Sequence, residues 1–222
     1  MSGSQTLYRK SGSQGEIQTL NDLVRHEFSN ELLSPEEKVD RLLSLIENTD
    51  DRFTLCCVLP TRKLVMSLAG LMQQDCIEGS GQDIILSIGS GSGILELLVQ
   101  RFLKPPSVIV GVETHPINLF LPSECCILTQ RLDILDVAKV RTLFACYLRR
   151  PGLVVDYLNL FPEVNKIILI GPRTESVFND ESASQVLLEW GTISVANDWD
   201  DVLAAWDQVL VVRRKLPKTW SS

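Results

Sequence analysis

A chain of 222 residues with 45% hydrophobic and 22% charged side chains has the composition of an ordinary globular protein. It is large enough to bury a core without disulfides or metal ions. Its net charge of −7 argues against a nucleic-acid partner, because phosphate backbones call for a basic face. The short basic runs Arg149-Arg150 and Arg213-Arg214-Lys215 read as solvated surface.

Residues 1–16 are rich in Ser, Gly and Gln and are expected to be disordered. Residues 17–59 read as a helical cap. Its first helix spans roughly Thr19 to Leu32, with Leu20, Leu23, Val24 and Phe28 on one face. The second begins at Ser34, where Ser-Pro-Glu-Glu supplies a cap, a first-turn proline and a capping-box Glu37. Its apolar stripe is Val39, Leu42, Leu43, Leu45 and Ile46. A third helix from about Thr61 to Gln74 opens the main domain, residues 60–222.

From Asp83 onward short apolar runs alternate with amphipathic stretches, the pattern of βαβ units. Strands are predicted at Ile84–Ile88, Val108–Val112, Cys126–Thr129, Ile167–Ile170, Thr192–Val195 and Val209–Val212, and helices at Gly93–Phe102, Val137–Tyr147, Ser182–Glu189 and Trp199–Ala205. Near-continuous Ile, Leu and Val runs are expected of parallel strands covered on both sides. The fold class is therefore α/β: a doubly wound, mostly parallel sheet of six or seven strands, helices on both faces, preceded by the helical cap.

Six cysteines are present, among them the neighbours Cys56-Cys57 and Cys125-Cys126. No spacing matches a zinc site, and no metal is expected. With no apolar leader segment and no apolar run approaching about 18 residues, the expected location is the cytoplasm, with the nucleus as the other choice.

The informative segment is Asp83-Ile-Ile-Leu-Ser-Ile-Gly-Ser-Gly-Ser-Gly-Ile-Leu-Glu96. A buried strand runs into glycines 89, 91 and 93, and a helix follows at once. One glycine is expected to make the tight turn, one to let a ligand approach the backbone, and one to let the helix press on the sheet. Dinucleotide binding calls for Gly-x-Gly-x-x-Gly, but position 94 is Ile. A phosphate-cradling loop would need a following Gly-Lys-Ser/Thr, which is lacking.

Gly-x-Gly-x-Gly after an apolar strand resembles the first motif of the class I, Rossmann-like S-adenosylmethionine-dependent methyltransferases. The resemblance covers roughly residues 60–213. It implies S-adenosylmethionine as cofactor, held by Gly89, Ser90, Gly91 and Gly93, with Glu113 and Thr114 at the end of the second strand beside the ribose. It also implies that Asp133 receives the adenine amino group and that Ile134 packs beside the ring. The implied partner is a methyl acceptor, a small molecule or a protein side chain, and a protein partner or homodimer is a further expectation.

Two departures stand out. Ser87 occupies a position where many relatives carry an acid. The strand read as the fourth ends in Gly171-Pro172-Arg173, where the family usually has an acidic or amide residue. The absence of Asn/Asp-Pro-Pro-Tyr/Phe argues against base or glutamine amino groups as acceptors. The C-terminal third reads as lean, with scant room for a seventh strand. These features leave a catalytically silent scaffold or regulatory domain as the alternative, and a nicotinamide-dependent oxidoreductase as a weaker one. His26, His115, Arg62 and Arg173 are secondary candidates for substrate or cofactor contacts, and the Pro116–Glu124 loop for a substrate wall.

Overall fold

The structure is a computed structural model that describes residues 19–48, 53–74, 82–196, 199 and 201–215. The predicted disordered stretch 1–16 and Trp220 lie outside these residues. Seven strands form one sheet in the order β3-β2-β1-β4-β5-β7-β6. They are β1 (Ile84–Ile88), β2 (Val108–Glu113), β3 (Cys126–Leu128), β4 (Val140–Cys146), β5 (Lys166–Pro172), β6 (Gly191–Val195) and β7 (Asp207–Arg214). The first five run parallel to their neighbours, and β7 is antiparallel to both β5 and β6.

Strand periodicity distributes the apolar side chains between two faces. Ile85, Ile109, Phe144, Ile168 and Val211 point to one side, where α1 (Leu20–Phe28), α2 (Pro35–Glu47), α3 (Arg62–Gln73) and α4 (Ile94–Gln100) cover them. Leu86, Val110, Leu143, Leu169 and Val212 point to the other, under α5 (Gly152–Leu160) and α6 (Glu181–Trp190). Leu20, Val24, Leu42, Leu43 and Ile46 of the first two helices belong to the same buried cluster as Ile85 and Ile94. Both helices open with capping boxes, Thr19 with Asp22 and Ser34 with Glu37. The predicted first helix was too long: α1 stops at Phe28 and is capped by Ser29.

Two predictions are corrected. Residues Val137–Tyr147 are not a helix. They form a short 3-10 turn, Val137–Lys139, followed by β4. The apolar residues of this segment also fit helical spacing, but Val140, Thr142, Leu143, Phe144 and Ala145 are buried between β1 and β5. β-Branched and aromatic side chains suit that position. Of the helix predicted at Trp199–Ala205, residues 201–205 are not helical, and Val202 and Leu203 both donate to the Trp199 carbonyl. Inserting β4 makes the strand that ends at Gly171-Pro172 the fifth. The C-terminal part holds β5, α6, β6 and β7 where the corresponding strands and helix were predicted, and the seventh strand comes from β4.

No described helix is long and apolar enough to cross a membrane. One buried charge ties the two layers together. Lys166, 2% exposed at the start of β5, donates from Nζ to the carbonyls of Leu71 (3.0 Å), Met72 (2.9 Å) and Gln74. The C-terminal carbonyls of α3 lack intrahelical donors, so this ammonium closes the helix from the sheet. Lys166→Met strips those oxygens of a charged donor. Chemical denaturation should show a loss of about 2–3 kcal/mol, while a surface control such as Lys104→Met should change stability by less than about 0.5 kcal/mol.

Candidate functional site

Strand order reverses between β1 and β4, because β1 leads outward to β2 and β3 while β4 leads to β5. Ligands of open α/β sheets settle in the crevice beyond the strand ends at such a switch point. The predicted glycine turn lies there. Gly89, Gly91 and Gly93 have φ of +74°, +61° and +80°, the left-handed region that glycine enters without a Cβ penalty.

The three glycines divide their tasks differently from the expectation. No atom lies within 4 Å of where a Cβ would stand on Gly89 or Gly91, so both turn a bare backbone to open space. On Gly93 a Cβ would stand 2.5 Å from Asn118 Oδ1 and 2.9 Å from Leu121 Cγ. The third glycine thus makes room for the loop after β2 rather than for the sheet. That loop is the predicted Pro116–Glu124 wall, and it is strapped to the turn. Leu119 and Phe120 donate their N–H groups to Ser92 O at 2.9 and 3.0 Å. Asn118 brackets Leu121 with its side chain, and Phe120 packs edge-on to Phe28 of α1 at 5.0 Å. Gly111 in β2 was missed by the sequence reading. A Cβ there would stand 2.5 Å from Ser90 Oγ and 2.9 Å from Leu121 Cδ1, so it lets the turn lie down on the neighbouring strand.

Glu113 ends β2 and is 9% exposed. Its Oε1 accepts the Gly91 N–H, which brings this predicted carboxylate directly against the turn. Thr114 is exposed and its Oγ1 lies 2.9 Å from His115 Nδ1. Asp133 and Ile134 stand exposed on the 3-10 segment Thr129–Ile134 that follows β3, on the same edge of the sheet as Glu113. Ile134 keeps 55% of its surface, an apolar face turned outward beside an acid. Arg62 pairs with Asp40 at 3.0 Å, and Arg173 Nε donates to Asp207 O. His26 is exposed in the last turn of α1.

A carboxylate from the following helix reaches Ser87. Glu96, in the first turn of α4, is 3% exposed, and its Oε1 accepts a hydrogen bond from Ser87 Oγ at 2.6 Å. Its Oε2 and the Ser90 hydroxyl are buried without a partner among the described residues. Burial pushes the Glu96 carboxyl up to about 7, against the lowering pull of Ser87, and the nearby Glu113 raises it further. Buried polar atoms without partners are rare in folded proteins, and these two flank the glycine turn. They fit a ligand that brings hydrogen-bond donors.

Across the switch point, β4 ends at Cys146 and Tyr147 follows it. Tyr147 takes φ of +57°, a conformation costly for a non-glycine residue. Its N–H donates to Ile170 O at 2.7 Å and its hydroxyl to Asp207 Oδ1 at 2.6 Å. Burial and the Asp207 carboxylate hold the phenol well above its ordinary range. A cavity of about 200 Å³ opens beside it, lined by Cys57, Tyr147, Arg149, Gly171, Glu175 and Gln208 among others. Burial also raises the Cys57 thiol, and for Cys146 a hydrogen bond shared with Cys56, which favours the protonated Cys146 thiol, and burial act the same way. No described group of three or more His, Cys, Asp or Glu could hold a metal ion.

With this geometry in view, known proteins can be compared. No protein-family model and no curated protein matches the sequence. Among solved structures, similarity extends to a Listeria monocytogenes protein assigned to the class I S-adenosylmethionine-dependent methyltransferases, with TM-score 0.50 and 14% identity. The match covers 90% of this chain and 83% of that one. The carbon methyltransferase CurJ is similar at TM-score 0.51 and 10% identity, covering 89% of this chain and 67% of its own. The chain has the class I methyltransferase fold. In that fold the fourth-strand end is Cys146-Tyr147, so Gly171-Pro172-Arg173 no longer stands for it. The residues that do stand there are neither acidic nor amide, and Asn/Asp-Pro-Pro-Tyr/Phe is absent there too.

The buried acid gives a pH signature. Its ordinary value is 4.5 and its folded value about 7, so between these the unfolded state loses the proton first. Stability therefore falls as pH rises through this window and levels off above it. Glu96→Gln keeps the shape and removes the titration. Urea unfolding at pH 5 and pH 8 should show a decline for the unmodified protein that is larger by roughly 2–3 kcal/mol than for the variant. Equal declines would mean that Glu96 ionises as freely in the fold as in water.

Proposed function

We propose that this domain is an S-adenosylmethionine-dependent methyltransferase acting on a small molecule or a protein side chain. The observation that carries the reading is the Glu113 carboxylate seated on the Gly91 amide. With Oε1 engaged, Oε2 remains for the hydroxyls of a ribose, and Gly89 and Gly91 leave the main chain bare for a nucleoside to approach. Thr114 lies at the same strand end. Asp133 would accept the adenine amino group, and the exposed Ile134 side chain would gain an apolar partner in the ring. Ser90 and Gly93 complete the turn.

The bound cofactor would supply a methyl group already activated by its sulfonium. The protein's share is then to place the acceptor in line and exclude water. The cavity beside Tyr147 lies across the switch point from the glycine turn and suits an acceptor. The shifts at Tyr147 and Cys57 keep both groups protonated at neutral pH, so neither serves as a general base. An acceptor that arrives with a free lone pair fits this lining better than an unactivated hydroxyl.

Two features favour an active domain over a silent one. All seven strands are in place, and Glu96 brings a carboxylate to Ser87.

Calorimetric titration with S-adenosylmethionine, S-adenosylhomocysteine and NAD tests the reading. The two sulfur nucleosides should bind and NAD should not. Gly91→Val forces a branched side chain into left-handed backbone, and Glu113→Ala removes the amide's partner. Each should weaken binding by about tenfold or more, ~1.4 kcal/mol, with circular dichroism unchanged. Undiminished affinity in both variants would sink the assignment of this turn as the cofactor site.

A further inference from the structure

The cavity beside Tyr147 carries two charges that have no task in the reading so far, and two turns bring them there. Tyr147, with its left-handed backbone, redirects the chain after β4, and Arg149 lines the cavity. After β5 the chain turns again. Arg173 donates its N–H to Trp206 O at 2.8 Å and Glu175 to Pro172 O at 3.1 Å. Asn179 Nδ2 holds Thr174 O at 2.8 Å, and Glu175 lines the same cavity. Gln208 of β7, in register with Gly171, adds an amide. No atom lies within 4 Å of where a Cβ would stand on Gly171, so the wall is bare main chain at that point.

Arg149 and Glu175 are opposite in sign, yet neither side chain has an ion pair or hydrogen bond to another described residue. Burial raises the Cys57 thiol and the nearby Arg149 pulls it part of the way back, so the guanidinium acts across the cavity. Opposite charges that share a cavity without pairing match a ligand that carries both complements. Of the two acceptor classes above, this favours the small molecule. A residue inside a polypeptide has its α-amino and α-carboxyl groups tied up in amides and offers neither charge. At about 200 Å³ the cavity also falls below the roughly 300–1,000 Å³ of sites for drug-sized ligands.

We propose that the acceptor is a free α-amino acid, its carboxylate bound by Arg149 and its ammonium by Glu175. A guanidinium takes a carboxylate through two parallel N–H···O bonds, and the Gln208 amide can serve either end. That this ligand accepts the methyl group rests on the methyltransferase reading above; its recognition by two charges does not. With no general base in the lining, its side chain must bring a lone pair of its own. A neutral imidazole or a thioether does so at neutral pH.

Calorimetry at about pH 7.5, where imidazole is neutral, compares L-histidine with histamine, which lacks the carboxylate, and with imidazole propionate, which lacks the ammonium. L-Methionine, methylthiopropylamine and methylthiobutyrate form a second series. Each is titrated into the protein alone and into protein saturated with S-adenosylhomocysteine. In at least one series the zwitterion should bind about tenfold or more tightly than both truncated ligands. Arg149→Gln should erase its advantage over the amine, and Glu175→Gln its advantage over the acid. Both side chains are exposed, so circular dichroism should not change. Absence of a zwitterion preference in both series, or a preference that survives either substitution, would overturn the proposal. Binding of S-adenosylhomocysteine alongside that failure would leave the cofactor reading standing. A charge-dependent preference in a protein that does not bind S-adenosylhomocysteine would overturn the acceptor role, and the cofactor reading with it.

Discussion

The structure turns on a contact between two neighbouring parallel strands. The carboxylate that ends β2 accepts an amide proton from the turn that ends β1. This contact fixes how far the turn leans, and with it the bare face of Gly89 and Gly91. Gly111 and Gly93 then become necessary. The first lets Ser90 rest on β2 and the second lets Asn118 and Leu121 close over the turn. The strap in its turn is held by Ser92 O and by Phe120 against Phe28. Thus the first helix, the turn and the second strand form one connected assembly, and α1 belongs to the frame that supports the site.

The same region concentrates unfavourable terms. An acid that prefers water is buried, two polar atoms lack partners, and across the switch point Tyr147 holds a left-handed backbone. Each of these costs stability in the isolated chain. Among the described residues, the partnerless buried side-chain atoms and the one non-glycine residue with positive φ all lie at one end of the sheet. Folded proteins keep such costs where a bound partner or a reaction recovers them.

Much of this could be read from the residues, and the failures have a physical pattern. The glycine turn, β1, β2 and the capped helices were legible because their signals are local: fixed φ requirements, capping boxes and unbroken aliphatic runs. β4 was not, because Val140, Leu143, Phe144 and Tyr147 satisfy helical spacing as well as burial between two strands. Only its neighbours decide the case. α5 was missed for the opposite reason. Its Gly-Leu-Val-Val start carries low helix propensity, and packing of Val154 and Tyr157 on the sheet overrides it. Losing β4 shifted the strand count by one, and that shift alone produced the misreading of Gly171-Pro172-Arg173. The Glu96–Ser87 pair lay nine residues apart in plain sight. The signal was an acid at a helix position otherwise surrounded by Ile94, Leu95, Leu98 and Val99, all buried.

The antiparallel β7 has a consequence for how the chain is made. It enters between β5 and β6, pairing Lys166 with Arg213 and Gly191 with Arg214. Until that last strand has emerged from the ribosome, the Lys-Ile-Ile-Leu-Ile run of β5 has an open flank, with its main-chain groups unpaired on that side. A nascent protein of this design carries a sticky ribbon until β7 pairs with it. An unpaired aliphatic ribbon of this kind invites edge-to-edge pairing with other chains until it is covered.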